Sequence, residues 1–227
     1  MQRIYLTDIS KIEDEVFDRL MKLLPSDRRD RASKIRKESE RKLSVAAGVL
    51  LGAALSDYVR GSRDEAICFV QLDEVKTEEL CAIAETETES GDHGKPYLKK
   101  YPELFFNLSH SGSVAFLVWA DVPVGCDVQA VRSCSERLVQ KACSPSEKQY
   151  VLSAEGEERD LRFSRIWCLK ESVLKAVGIG IGTRLSEIET VDEQGNLYEN
   201  ADWFEEEWEL SEKELLPGYC FGICKRL

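Results

Sequence analysis

The stretch WCLKESVLK, residues 167–175, lies in a segment whose spacing predicts one long helix from Leu161 to Val177. Residues in a helix advance by about 100° each, so the apolar positions of this segment share one stripe, which predicts a core-facing side. That stripe consists of Ile166, Leu169, Val173, Ala176 and Val177. Glu171 and Lys175 lie near the opposite side, one turn apart. They form either a surface pair worth about 0.3 to 0.5 kcal/mol or two charges that face a cleft.

A second stretch, VGCDVQ at residues 124–129, alternates apolar and polar residues as a strand does. Asp127 and Gln129 therefore point to the same side as Gly125. Two oxygen-bearing side chains beside a glycine that permits close approach can begin a site for a hard cation. The alternative is an ordinary exposed strand face.

A third stretch, NLSHSG at residues 107–112, joins two apolar runs at 104–108 and 114–119, which predicts a hairpin with a polar tip at 109–113. This tip is either a simple turn or a phosphate site, since hydroxyl groups, a histidine and free backbone N–H groups suit phosphate. The chain has two histidines, His93 and His110, and a lone histidine is usually structural.

The rest of the chain alternates helical and strand-like patterns, with a long helix and short strands in each half. Predicted strands are 2–7, 122–128, 205–210 and 219–224; predicted helices are 10–24, a single one over 26–59, and one that begins with a capping box at 144–147. Residues 85–94 are predicted to be a loop, and Gly178, Gly180 and Gly182 to end the helix of residues 161–177. This pattern favours an α+β fold with two subdomains.

The chain of 227 residues carries a formal net charge of −11, so broad binding to nucleic acid or to an anionic membrane surface is not expected. Any site for phosphate must therefore be a small basic region on an otherwise acidic protein. Residues 28–42 are one candidate, because eight basic residues stand there against three acidic ones. The alternative for this run is a solvated, charged helix face.

Eight cysteines are scattered without a C-x-x-C pair, so we expect small buried side chains in a reducing compartment rather than disulfides or zinc ligands. No signal peptide is expected, because acidic residues interrupt the first segment. The longest apolar run, residues 45–55, is too short to cross a bilayer and is expected to be a buried helix. These features predict a cytoplasmic protein that binds neither membranes nor nucleic acid.

Four motifs in order resemble the Sfp-type 4′-phosphopantetheinyl transferase family. They are GKP at 94–96, FNLSHS at 106–111, VGCD at 124–127 and WCLKESVLK at 167–175. Each motif is weak alone, but the four at suitable separations, above all the W-x-x-K-E-S-x-x-K block, make the resemblance specific. It covers most of the chain.

The resemblance implies the fold of that family: a monomer of two similar α+β subdomains, 1–123 and 124–227, related by pseudo-twofold symmetry, with coenzyme A and a metal between them. It also implies roles for individual residues. Mg²⁺ would be bound by Asp127 and Glu171, with position 129 as a further ligand. The phosphates of coenzyme A would be contacted by Lys95, Ser109, His110 and Lys175, and the adenosine 3′-phosphate by Arg28 and Arg31.

The implied reaction is attack by a serine hydroxyl of an apo carrier protein on the β-phosphorus of coenzyme A, which displaces 3′,5′-ADP. Such a transfer depends on positioning and on neutralising charge, and Lys175 would stabilise the leaving group. The serine needs a base. Glu171, or a water on the metal, is the first candidate. Glu147 is the second, because the helix start that bears it matches an acidic position of the family.

One position departs from the family pattern, since many members have a second acidic residue where this chain has Gln129. An amide oxygen can still ligate a metal but carries no charge, so we predict weaker or more water-mediated coordination. Gln129 also supports one alternative function, a noncatalytic sensor that binds coenzyme A. A metal-dependent nucleotide hydrolase is another alternative.

The implied partner is an acyl or peptidyl carrier protein, and the sequence does not distinguish fatty-acid, polyketide and nonribosomal-peptide carriers. Asp127, Glu171 and Lys175 are all retained, which favours the transferase over the sensor.

Overall fold

Residues 1–91, 94–179 and 185–227 are described by a computed structural model of the chain. The chain divides into two units, Met1–Asp121 and Val122–Leu227. The sequence had placed this division after residue 123. Both units combine helices with sheet, so the α/β character expected from the sequence is present in each.

Unit 1 places a long helix against one face of a sheet. Its helices are α1 Asp14–Leu23, α2 Ser26–Lys34 and α3 Glu38–Val59. Its strands are β1 Gln2–Asp8, β2 Ala66–Phe69, β3 Thr88–Ser90, β4 Pro96–Leu98, β5 Phe105–Ser111 and β6 Val114–Ala120. Within the described part of this unit, four strands form a sheet in the order β2-β1-β6-β5, and β3 pairs with β4. β1 pairs antiparallel with β6 and parallel with β2.

Helix α3 forms the centre of the core of unit 1. Its middle part, which includes Val49, Leu50 and Leu55, is buried among residues of α1 and of the sheet, such as Leu20 and Leu117. By length and composition alone α3 is apolar enough to cross a membrane, and 67% of its most apolar 18-residue window is buried inside the protein. The apolar run at 45–55 is thus a buried helix, as predicted.

The single helix predicted over 26–59 is wrong, because the chain breaks between α2 and α3. Ile35 and Lys37 adopt extended backbone angles there, with ψ of 116° and 119°. The break lets α2 bury Ala32 in the core while Arg36 and Lys37 stay exposed.

Two other predictions for unit 1 need correction. The loop predicted at 85–94 contains strand β3, and its residues 92 and 93, which include His93, lie outside the described part of the chain. The polar tip predicted at 109–113 is shorter, because β5 continues to Ser111 and pairs with Val114. The turn itself uses Gly112, whose φ of +59° favours glycine.

Unit 2 packs helices on an antiparallel sheet. Its helices are α4 Glu136–Ala142, α5 Pro145–Leu152 and α6 Gly156–Val177. Its strands are β7 Val124–Ala130, β8 Asn200–Trp203, β9 Glu206–Lys213 and β10 Tyr219–Arg226. In the described residues the strand order is β7-β10-β9-β8, with every pair antiparallel.

The helix ends in unit 2 follow the sequence signals closely. The Ser144 hydroxyl accepts from the Glu147 amide at 3.3 Å, and the Glu147 carboxylate accepts from the Ser144 amide at 2.8 Å, which is the predicted capping box. α6 ends at Gly178, whose φ of +84° forms a left-handed cap. Gly180 and Gly182 lie outside the described residues. α6 begins at Gly156 rather than at the predicted Leu161, since the charged residues before Leu161 form its exposed first turns.

Candidate active site

Strand β7 and helix α6 approach each other closely because a glycine stands between them. A Cβ atom on Gly125 would lie 2.1 Å from the Ala176 amide nitrogen and 2.2 Å from the Ser172 carbonyl oxygen. Only glycine fits there. Gly125 was expected to admit a ligand, but its role is to admit the backbone of α6. Side chains on the same face of β7, including Asp127, therefore face α6.

Asp127 lies buried on β7 and forms an ion pair with α6. The Lys175 ammonium group donates to Asp127 Oδ1 at 2.6 Å, and the Asp127 side chain is only 7% exposed. Burial alone would lower the pKa of Lys175, but the negative charge of Asp127 outweighs it and the pKa is raised. Lys175 is therefore held as a cation at this position.

Glu171 lies one turn before Lys175 on α6 and is close enough to Asp127 for the two charges to interact. Its Oε1 atom is buried without a hydrogen-bond partner among the described residues. Burial, and then the charge of Asp127, raise the pKa of Glu171, while Lys175 opposes the shift. A carboxylate oxygen that is buried without a hydrogen bond is stabilised when a cation binds it, because the cation replaces the water that burial removed.

The acidic pair formed by Asp127 and Glu171 fits a divalent cation that keeps most of its own water. In residues 1–91, 94–179 and 185–227, no group of three or more His, Cys, Asp and Glu side chains is placed to hold a metal. Mg²⁺ is commonly bound through one or two carboxylates together with substrate phosphates. The buried Oε1 atom of Glu171 is the feature that favours such an ion here.

Gln129 lies two residues beyond Asp127 on β7 and is also buried. Its Nε2 atom donates to the carbonyl oxygen of Ala130 at 2.9 Å. This bond shows which end of the amide is the nitrogen, and the other end, Oε1, is an oxygen of the kind that can ligate a cation. The predicted ligand is thus a neutral oxygen in a buried position.

The second candidate base, Glu147, does not lie at an open site. It is fully buried, forms an ion pair with Lys170 at 2.5 Å, and accepts from Ser144 and from both the amide and the hydroxyl of Thr190. Both of its oxygens are occupied. An incoming hydroxyl group cannot reach a fully buried carboxylate, so the structure corrects the assignment of Glu147 as a base and gives it a structural role instead.

Arg28 and Arg31, predicted near an adenosine phosphate, lie on α2 in unit 1. Burial and the charge of Arg31 lower the pKa of Arg28 to about 10, and its Nε atom donates a long bond of 3.5 Å to the carbonyl oxygen of Thr86. Arg31 is exposed and pairs with Asp27 at 2.5 Å. A desolvated guanidinium beside a second cation is stabilised by an anion, which suits phosphate.

Ser109 and His110 lie in strand β5 rather than in a loop. Neighbouring side chains of a strand point to opposite faces, and accordingly Ser109 is buried while His110 is exposed. The two side chains therefore do not converge on one phosphate. Lys95, which precedes β4 and is half-buried, follows Gly94 with its φ of +81°.

A sequence model of the 4′-phosphopantetheinyl transferase superfamily matches residues 123–224. This match covers slightly less than half of the chain, so the superfamily is what this part of the chain resembles. The resemblance to Sfp-type transferases, predicted from four motifs, is confirmed. Asp127, Glu171 and Lys175 all fall within the matched residues, which are nearly the whole of unit 2.

Several named transferases of this superfamily are similar to the chain. The 4′-phosphopantetheinyl transferase psf-1 of Bacillus pumilus is 30% identical over 139 residues, which are 61% of this chain and 60% of that protein. The transferase ffp of Bacillus subtilis is 22% identical over 214 residues, 94% of this chain and 87% of that protein. Sfp of Bacillus subtilis strain 168 is 25% identical over 134 residues, 59% of this chain and 60% of that protein.

The chain thus spans less than two thirds of the length of psf-1 and Sfp in these alignments. The superfamily match itself leaves out unit 1, where Arg28, Arg31, Lys95, Ser109 and His110 lie. The acidic pair and Lys175 are therefore the part of the candidate site that both the geometry and the superfamily match cover.

Sequence reasoning missed the role of Lys170, although the residue stands inside the quoted motif. Lys170 is fully buried and is the partner of Glu147. A charged residue on the apolar stripe of a helix, next to Leu169 and Val173, was the signal that could have revealed a buried ion pair.

A separate cavity of about 430 Å³ lies in unit 2 and is lined by Tyr150, Arg165 and other residues. Neither the acidic pair nor Lys175 lines it.

Proposed function

We propose that this chain transfers the 4′-phosphopantetheine moiety of coenzyme A to a serine of an apo carrier protein and releases 3′,5′-ADP, with Mg²⁺ as the metal. The observation that carries the proposal is the acidic pair of buried Asp127 and half-buried Glu171 beside Lys175, inside the region that matches the superfamily. The names of psf-1, ffp and Sfp support the same reaction.

Asp127 and Glu171 would hold Mg²⁺, with the Gln129 amide oxygen as a further ligand. When bound, the ion supplies charge neutralisation at the pyrophosphate of coenzyme A. The fit rests on two features: Glu171 Oε1 is buried without a hydrogen bond among described residues, and the charges of Asp127 and Glu171 interact with each other beside Lys175.

In the transfer step the serine oxygen forms a bond to the β-phosphorus, the bond from that phosphorus to 3′,5′-ADP breaks, and the serine proton passes to a base. Glu171 is our candidate for the base, since burial and the charge of Asp127 raise its pKa above the ordinary value of a carboxylate, which makes it a better proton acceptor than an exposed one. Lys175 stays cationic and would stabilise the negative charge that develops on the leaving group.

Unit 1 would supply phosphate contacts. Arg28 is half-buried and its Nε atom makes a long hydrogen bond, which supports it over the exposed Arg31 as the main contact. The opposed directions of Ser109 and His110 indicate that no more than one of these two side chains serves a given phosphate. Lys95 stays a predicted contact.

The finer features of the family fold remain predictions of the resemblance. These are the pseudo-twofold relation of the two subdomains, coenzyme A between them, a monomeric state and a cytoplasmic location. The carrier protein partner is likewise proposed, and its pathway is open among fatty-acid, polyketide and nonribosomal-peptide synthesis.

Product analysis separates this function from its alternatives. The chain is incubated with coenzyme A and Mg²⁺, with and without an apo carrier protein, and 3′,5′-ADP is measured by chromatography. A transferase releases 3′,5′-ADP only when the carrier is present. Release without a carrier, together with free phosphopantetheine, would instead indicate the hydrolase, and binding of coenzyme A without any release would indicate the sensor that Gln129 had suggested.

A further inference from the structure

Lys170 carries a charge into the interior of unit 2, where four oxygen atoms surround its ammonium group. The Nζ atom donates to the carbonyl oxygens of Ala142, Leu185 and Ile188 at 2.9, 2.8 and 2.7 Å, and pairs with Glu147 at 2.5 Å. The side chain is 1% exposed. An ammonium group with four oxygen partners from separate segments acts as a structural cation would.

Glu147 is fixed just as firmly as Lys170. Its Oε2 atom accepts from the Ser144 amide at 2.8 Å, and its Oε1 atom accepts from the amide and the hydroxyl of Thr190, both at 2.9 Å. The Lys170–Glu147 network therefore joins four parts of unit 2: the end of α4, the start of α5, the middle of α6 and the segment 185–190.

Helix α6 is held from its opposite side by the sheet. Gly125 of β7 and Gly222 of β10 both lie against its backbone, and the Cys168 thiol donates to the carbonyl oxygen of Asp127 at 3.3 Å. At about 100° per residue, Lys170 points roughly away from this sheet-facing side, while Lys175 lies beside that side and Glu171 lies between Lys170 and Lys175 around the helix. The network and the sheet thus contact α6 on two opposite sides.

We propose that Lys170 is a positioning residue, which together with Glu147 fixes the rotation of α6 and so holds Glu171 against Asp127. This inference rests on the proposed function, because it concerns Glu171 as a ligand of the metal. It adds to that function a role for a buried pair that takes no part in the chemistry.

Stability alone does not account for the Lys170–Glu147 pair. Buried ion pairs are often replaced by apolar residues of similar volume without loss of stability, so a core that needed only volume could use such residues. Directional bonds to three carbonyl oxygens differ from apolar contacts in one respect, because they specify a single rotation of the helix. The side chain one residue further on, Glu171, is the one whose direction depends on that rotation.

The test compares three proteins: wild type, the single variant Lys170→Met and the double variant Glu147→Gln/Lys170→Met. Binding of Mn²⁺ is measured by electron paramagnetic resonance without coenzyme A or carrier protein, and thermal unfolding is measured alongside. The single variant leaves Glu147 buried without its counter-charge, so its Tm should fall. The double variant removes both charges and should recover most of that Tm, yet its Kd for Mn²⁺ should be raised by about 10-fold or more.

A matched control is the pair Arg165–Glu212, which also attaches α6 to a neighbour, at 2.7 Å, but at the surface and further from Glu171. Arg165→Met/Glu212→Gln should leave the Kd for Mn²⁺ within about twofold of wild type. Recovery of both Tm and Mn²⁺ binding in the buried double variant would overturn the proposal, and so would a wild type that does not bind Mn²⁺. Failure of the wild type to modify a carrier would instead refute the transferase function, because this binding test uses no carrier.

Discussion

Asp127 and Glu171 of the candidate site form an arrangement that is unfavourable for stability. Asp127 is buried and Glu171 is half-buried, and the charge of Asp127 raises the pKa of Glu171 although Lys175 opposes the shift. The buried Glu171 Oε1 atom, which has no hydrogen bond among described residues, adds to this cost. Residues that lower the stability of the fold are expected at positions that serve the binding of a ligand.

The raised pKa of Glu171 predicts how its replacement changes stability with pH. The folded protein holds the Glu171 proton more tightly than the unfolded chain, whose ordinary value is 4.5. The wild type therefore loses stability as pH rises from that value through the folded pKa. We expect metal-free Glu171→Gln to unfold at a higher temperature than wild type at pH 7, with the gap closing below about pH 4.

Thermal unfolding across this pH range, with EDTA present, checks the prediction. Glu157→Gln, on an exposed first turn of the same helix, serves as the control and should match wild type throughout. A Glu171→Gln protein that is less stable than wild type at pH 7 would show that the carboxylate is satisfied rather than strained.

Replacement of Gln129 by glutamate is predicted to raise the affinity for Mg²⁺. Replacement by glutamate adds a charged ligand beside Asp127, so the Kd for Mg²⁺ should fall several-fold despite the loss of the bond to Ala130. Calorimetric titration with Mg²⁺ measures this. Gln140→Glu adds the same charge at an exposed site and should change the Kd little. An unchanged affinity in Gln129→Glu would mean that this side chain does not face the ion.

At the scale of elements, the contact between β7 and α6 determines whether the acidic pair forms. Gly125→Ala would place a methyl group about 2 Å from two backbone atoms of α6, which cannot move as a flexible side chain would. We expect a loss of about 1 to 3 kcal/mol in the free energy of unfolding and weaker Mg²⁺ binding, since Asp127 would be pushed from its partners.

Chemical denaturation and metal titration measure these two effects. Gly222→Ala is the graded comparison, because its Cβ atom would lie 3.1 Å from the Cys168 carbonyl oxygen, a milder clash on the same helix. Equal stability losses in the two variants, or unaltered metal binding in Gly125→Ala, would contradict the account of this contact.

The hairpin of β8 and β9 offers a stability prediction away from the site. Its two turn residues, Phe204 and Glu205, have φ of 58° and 66°, a left-handed region that suits Asn and Gly. Phe204→Asn/Glu205→Gly should raise the free energy of unfolding by about 1 to 2 kcal/mol. Urea denaturation checks this, with Phe204→Tyr as a neutral control; a destabilised double variant would show that the exposed Phe204 ring contributes packing.

For the whole molecule, local patterns predicted most of the elements. Alternation in residues 124–129 located β7 and the side on which Asp127 lies, and the capping box and Gly178 located two helix ends. The resemblance to the superfamily was also predicted from the sequence, because its motifs combine several residue types at fixed spacings.

Features that depend on distant partners could not be read from the sequence. The break at Ile35 depends on where the core lies, and Glu147 was misassigned because its partners Lys170 and Thr190 are far away in sequence. Strand β2 was missed because four residues give little periodicity, and its parallel partner β1 is some 60 residues away. Pairings of this kind are set by tertiary packing rather than by local preference.

The intact mass of an apo carrier protein, after incubation with this chain, coenzyme A and Mg²⁺, tests the central claim most directly. The account predicts a mass gain of one phosphopantetheine, abolished by EDTA and slowed at least about 100-fold by Glu171→Gln but not by Glu157→Gln. No gain on fatty-acid, polyketide or peptide-synthetase carriers, or full turnover by Glu171→Gln, would contradict it.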